Sequence, residues 1–224
     1  MAIQARADVT RRKIIDSAVD LFEEVGYGDT SLAEIIERAK VTKGAFYYHI
    51  ADKEAVAAAI IDDGGVRVEE ATRKVTQSSS PALEKLIRVT FVIAEMTRND
   101  HIVRAGSRLR YGLYQISPAG SHSYTDRLEH YIEVAQAAVA AGDVLDDIDP
   151  GELFEVIHTM DVGCQLLSDA IGHDLYAHLA RSWRMLLRGI VPQESVSYFQ
   201  QFVTRLAQQY TPADCSAPRV DPRG

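Results

Sequence analysis

Two cysteines stand in the 224 residues, Cys164 and Cys215. Nothing in the sequence pairs them and neither lies in a metal-binding spacing. A disulfide-built or zinc-built fold is therefore excluded, and a reducing, cytoplasmic setting is expected. No stretch of ~18 apolar residues occurs and no apolar N-terminal run precedes a cleavage site, so the sequence predicts neither a membrane span nor a leader. Period-two alternation is almost absent and internal repeats are absent, which argues against sheets and solenoids. The chain also lacks a Gly-x-Ser-x-Gly elbow, a phosphate loop and a dinucleotide fingerprint.

Excess positive charge is lacking too. The chain carries −8 overall, and residues 1–54 hold 8 basic against 10 acidic side chains. An acidic chain can still bind DNA if its basic groups share one face, and an acidic body would orient it by repelling phosphate. Of the seven histidines, His158 lies in Glu155-x-x-His158, the spacing of a di-iron carboxylate helix, but no second such pair occurs. His173 and His178 are five apart, off the spacing of a helical zinc pair. No metal, cofactor or enzymatic activity is expected. An all-α metal-dependent enzyme is the alternative that a bound metal would reveal.

What remains is helical patterning, and it predicts an all-α chain of nine or ten helices. A helix over Thr10–Gly26 carries the apolar stripe Ile14, Ile15, Ala18, Leu21, Phe22 and Val25 and ends at Gly26 and Gly28. From Lys53 another runs to Thr76, interrupted or softened at Gly64-Gly65, which reads as a hinge or as a tolerated bend. Ser78-Ser79-Ser80-Pro81 is a linker, with Pro81 opening the next helix. Further helices are predicted over 81–97, 101–115, 124–141, 150–168, 175–187 and 194–209, with a loop at Ser117–Ser121. Three organisational pieces follow: a helix-turn-helix head of three helices at 1–54, a larger helical body at 55–210, and a tail at 211–224 expected to be disordered.

Thr30 to Lys53 is the most telling stretch. Thr30 or Ser31 can cap a helix, and Glu34 completes a capping box with Ser31. Leu32, Ile35, Ile36 and Ala39 recur at helical spacing. After a break at Val41, Thr42 can cap a second short helix whose Ala45 and Phe46 turn inward onto Ile35 and Leu21. Thr42, Lys43, Tyr47, Tyr48 and His49 are then free to face out. Lys43 can reach guanine acceptors or a phosphate, the tyrosines offer a flat face and a hydroxyl, and Gly44 permits close approach to the groove. Arg11, Ser31 and Lys53 are candidate backbone contacts, within a basic set that includes Arg6, Arg12 and Lys13.

The pattern resembles the TetR family of one-component repressors. The residues that carry the likeness are Arg12, Ile15 to Ala18, Phe22, Gly26-Tyr27, Thr30-Ser31, Ile35, Ala39, Val41 to Gly44, Phe46 to His49 and Lys53-Glu54. Further on, Val103 to Leu109, Gly163 to Ser168 and Trp183 to Ile190 look like the γ-butyrolactone receptor branch of that family. Such regulators, found in streptomycetes and related actinomycetes, repress antibiotic and signalling genes until a diffusible autoregulator binds.

The resemblance implies a duplex DNA operator, a small-molecule inducer and a twofold dimer. The apolar faces of residues 151–168 and 175–187 are the expected dimer surface. The branch's pocket tryptophan falls on Arg127, its glutamine near Gly64 and its threonine near Val162. Arg127 in a pocket would favour an acidic ligand such as a furan carboxylic acid; on the surface it would pair with Asp126 or Glu129. Phe91, Met96, Tyr111, Tyr131, His158 and Gln165 complete the candidate ligand-binding set. A pseudo-receptor answering to an antibiotic or another hydrophobic compound is the second reading.

Overall fold

The computed structural model describes the backbone of residues 2–113 and 119–210 and the side chains of 7–112 and 129–210. Among the described residues there are ten helices and no strand. They are α1 (Ala2–Glu24), α2 (Leu32–Arg38), α3 (Lys43–His49), α4 (Lys53–Thr76), α5 (Ala82–Asn99), α6 (His101–Leu113), α7 (Ala119–Ala140), α8 (Pro150–Ile171), α9 (Leu175–Ile190) and α10 (Val196–Tyr210). Of the expected loop at 117–121, Ala119 to Ser121 belong to α7, and Ser117 and Pro118 lie outside the described residues. The expected tail, with Cys215, lies outside the described residues.

Two compact units form, Met1–Arg73 with Met96–Glu129 and Lys74–Glu95 with His130–Gly224. In the first, Ile14, Ile15, Ala18, Ile35, Phe46 and Ile60 make one core with Ile102, Ala105 and Leu109 of α6. Asp100 begins α6: its Oδ1 accepts from the amides of Ile102 and Val103 at 2.9 and 3.2 Å, and its Oδ2 accepts from Arg67 at 2.7 Å. Capping and an ion pair thus fix α6 against α4.

The expected break at Gly64-Gly65 is not there. Helix α4 is continuous, and both glycines are buried. A Cβ on Gly64 would stand 3.2 Å from the Ile102 carbonyl oxygen, so this glycine lets α6 approach the α4 backbone. Close packing, not flexibility, accounts for it.

The core of the second unit gathers Leu83, Ile87 and Phe91 of α5, Ala135 and Ala138 of α7, Ile157 of α8, Leu179, Trp183 and Leu187 of α9, and Phe199 and Val203 of α10. Trp183 is fully buried and donates its indole N–H to Thr90 Oγ1 at 2.9 Å, so burial leaves no orphan donor. Helix ends follow the local signals. Asp149 caps α8 ahead of Pro150, accepting from the Glu152 amide at 2.9 Å, and Gly172 closes it with φ +66°.

Candidate nucleic-acid interface

Ser31, not Thr30, caps α2. Its hydroxyl accepts from the Glu34 amide at 3.3 Å and its own amide donates to Glu34 Oε2 at 2.7 Å. The Ser31 hydroxyl also donates to that carboxylate, and these bonds hold Glu34 below the usual carboxylate range. Thr30 is buried and donates to the Gly26 carbonyl at 2.8 Å, closing the turn in which Gly26 adopts φ +91°. After α2 the chain turns through Lys40, a non-glycine residue at φ +53°. Thr42 then caps α3, accepting from the Ala45 amide at 3.1 Å.

Helix α3 is only two turns long, and Phe46, wholly buried, anchors it in the core with Ile35 and Leu21. That anchor sets the other side chains by helical geometry. Tyr47 is 56% exposed and Tyr48 79%, Thr42, Lys43 and Gly44 are exposed, and His49 is half-buried. Phe46 braces Tyr47 edge-on with ring centroids 5.6 Å apart, and His49 braces Tyr48 at 5.0 Å. Two large aromatic side chains held in solvent on one short helix suit a partner surface better than a monomer's own stability. Arg11 on α1 is half-buried, with Arg12 and Lys13 exposed beside it.

Lys53 has a different place from the one expected. Its ammonium donates to the carbonyl oxygens of Tyr27 at 2.9 Å, Thr30 at 2.9 Å and Gly28 at 3.4 Å, and lies 4.5 Å from the centroid of the Tyr27 ring. An ammonium has three donors, so the α1–α2 turn takes them all. Lys53 is a clamp on the head rather than a free phosphate contact. Two ion pairs that the sequence did not suggest also hold the head. Arg38 of α2 grips Glu24 of α1 at 2.9 and 2.7 Å, and Arg104 of α6 donates to Glu23 at 2.7 Å.

The candidate ligand residues divide between the units. Met96 and Tyr111 are in the first, both half-buried, and Arg127 lies outside the described side chains. In the second unit Phe91 is wholly buried and stacks on Tyr210, which stacks in turn on Tyr176. Tyr131 of α7 stacks on Phe154 of α8 with centroids 5.8 Å apart, and Phe154 on His158 at 5.9 Å. Half-buried Val162 follows. Gln165 is buried and donates to Asp161 Oδ2 at 2.8 Å. Asp161 was missed in the sequence. An acidic residue on a helix normally faces water, and only the buried phase of its neighbours Ile157 and Cys164 could have drawn attention to it.

Residues 14–60 match the family described as bacterial regulatory proteins, tetR family, and residues 79–192 match the tetracyclin repressor-like C-terminal domain. The chain belongs to the TetR family. This TetR-type regulator is 35% identical over 192 residues to the A-factor receptor protein of Streptomyces griseus, covering 85% of this chain and 67% of that one. The crystal structure of a gamma-butyrolactone receptor, an ArpA-like protein, superposes with a TM-score of 0.74 at 32% identity, over 92% of this chain and 99% of that one. The TetR family protein CprB of Streptomyces coelicolor, in complex with its biological operator sequence, gives 0.69 at 33% identity over 91% and 99%. The TetR regulator is thus related to the A-factor and γ-butyrolactone receptors along nearly its whole length. No helix among the described residues is long and apolar enough to cross a membrane.

Proposed function

We propose that the protein is a homodimeric repressor that places α3 in the major groove of a pseudo-palindromic operator and leaves it when a small diffusible autoregulator binds. Antibiotic or other secondary-metabolite genes are its targets. The observation that carries this reading is the outward face of α3, where Thr42, Lys43, Gly44, Tyr47 and Tyr48 are exposed around a buried Phe46. A relative whose structure is described in complex with its biological operator sequence matches 91% of this chain. A duplex groove supplies phosphates for Lys43 and the tyrosine hydroxyls, and thymine methyls for the rings.

Dimerisation has its own support. On α8 the side chains Val156, Leu166, Leu167 and Ile171 are all about half exposed, at 50, 48, 49 and 57%. Positions 156, 159, 163, 166 and 170 recur at helical spacing, and a Cβ on Gly163 would meet nothing within 4 Å. A stripe of this kind suits a second copy's helix. Helix α9 adds Met185, 68% exposed, but its outer face also carries Arg181 and Arg188. Its apolar content otherwise points inward, so α8 supplies most of the surface.

The inducer must bind the DNA-free conformation better than the DNA-bound one, or it shifts nothing. A γ-butyrolactone-like compound or a furan-type acid is the ligand class. A gel shift on the promoter fragment beside the protein's own gene, with and without an organic extract of the culture, tests the proposal. A shifted band released by the extract is the expected result. No shift at any protein concentration would overturn the repressor reading, and a shift released only by an antibiotic would favour a pseudo-receptor.

A further inference from the structure

We propose that Asp161 of α8 fixes the inducer, acting as a neutral carboxylic acid whose Oδ1–H donates to a carbonyl oxygen of a neutral lactone-type or ester-type ligand. The inference rests on reading the chain as a ligand-released repressor, and it selects among that reading's ligand classes.

Asp161 is buried, and only one of its oxygens is used. Oδ2 accepts from the Gln165 amide at 2.8 Å, while Oδ1 is buried without any hydrogen-bond partner. Holding Gln165 needs one acceptor, which an asparagine would supply equally well. The second oxygen has no internal purpose, and a buried polar atom without a partner is costly enough to require an explanation. An incoming ligand group is the explanation that also fits the surroundings. Phe154 and His158, two turns and one turn earlier on α8, continue the stack begun by Tyr131. His158, Val162 and Tyr131 are half-buried, so the acid lies at the margin of the core. A flat apolar wall beside a single directed polar group is the usual make-up of a small-molecule site.

The choice of a neutral acceptor follows from electrostatics. An ionised carboxylate buried without a cation is strongly disfavoured. The helices of this unit carry many titratable groups, among them His158 and Cys164 on α8, Tyr131 on α7, Glu95 on α5, Arg181 on α9 and Tyr210 on α10. Among the described residues none of them contributes to the shift of Asp161. Burial pushes its pKa up to about 7, with the Gln165 hydrogen bond opposing. The acid form is therefore available near neutral pH and presents a donor to a carbonyl. An acidic ligand would bury its own negative charge beside a group whose shift no cation contributes to. An ammonium ligand would have to lose its own water as well.

The test uses the full-length protein and three probes, γ-decalactone, furan-2-carboxylate and hexylamine, titrated calorimetrically from pH 5.5 to 8.5. Wild type is expected to bind the lactone with an affinity flat below pH about 7 and falling about tenfold per unit above it. Asp161→Asn keeps an N–H donor and should bind with a flat profile, whereas Asp161→Leu should lose at least tenfold at pH 6. Should Asp161→Asn fail to fold, wild type measured in two buffers of different ionisation enthalpy carries the same test. Uptake of up to one proton per bound lactone above pH 7 is expected, and no uptake overturns the inference. An unchanged pH slope in Asp161→Asn overturns it, as does tighter binding of the furoate, binding of the amine alone, or no binding by any probe. An operator gel shift run alongside keeps the two readings apart: an intact shift with a failed titration sinks only the role of Asp161.

Discussion

Gly64 of α4 and Gly106 of α6 hold two antiparallel helices at backbone contact. A Cβ on Gly64 would stand 3.2 Å from the Ile102 carbonyl oxygen, and one on Gly106 3.0 Å from that of Ile60. Both obstacles are main chain and cannot swing aside. Alanine would gain up to about 1 kcal/mol of helix propensity at either position, against about 1–3 kcal/mol for forcing a well-packed seam apart. Gly106→Ala should therefore lower the denaturation midpoint, and Gly64→Ala should do so less. Equal or higher stability of both variants in urea melts would refute the close-packed seam and restore the idea of a flexible pair.

Lys53→Met offers a second test, because a clamp and a phosphate contact respond differently. Removing the ammonium leaves the carbonyls of Tyr27 and Thr30 without their donor, at about 1–3 kcal/mol. The head should melt earlier, and unfolding followed by circular dichroism would register it. If stability is unchanged while operator affinity falls, Lys53 reaches DNA after all.

The outward face of α3 predicts a pattern rather than a single loss. Lys43→Ala and Tyr47→Ala should each weaken operator binding, by about 1–3 kcal/mol where a base edge is read. Neither should change the mass of the protein in light scattering. Lys43→Ala should also flatten the salt dependence by about one unit if it neutralises a phosphate. Operator affinity equal to wild type for both variants would remove α3 from the groove.

For the dimer, Leu166→Glu with Leu167→Glu places two charges in the exposed stripe of α8. Both side chains are about half exposed, so the protomer's own core should survive. Size-exclusion chromatography with light scattering is expected to give a monomer whose helical content is unchanged. A persistent dimer would move the interface elsewhere.

The Asp161 carboxyl also makes stability depend on pH. Its folded value near 7 exceeds the ordinary value of about 3.9, so between these the folded protein binds the extra proton. Stability attributable to this group therefore falls as pH rises from about 4 to about 7, then levels off. Glu34, held low by Ser31, acts oppositely, losing stability as pH falls. Comparing wild type with Asp161→Asn cancels such background. The variant should gain on wild type steadily from pH 5 to pH 7, and a pH-independent difference would show that burial does not hold the proton.

Local signals were legible because their partners lie within a few residues. Ser31 with Glu34, and Thr42 at the start of α3, each satisfy a helix end through a group three positions away, and the structure uses both caps as read. The spacing of Leu32, Ile35 and Phe46 likewise set which side of the head faces in, and so left Tyr47 and Tyr48 outside. The sequence by itself therefore determined the all-α fold, the helix-turn-helix and its exposed face. Tertiary structure alone decided what Lys53 grips, since its carbonyl partners lie up to 26 residues away. It also decided that Gly64 is a contact rather than a hinge, because the backbone it admits belongs to α6. The same is true of Asp161. Its helix presents polar side chains on several sides, and only the packing of α8 within its unit turned this one away from water and left an oxygen unpaired.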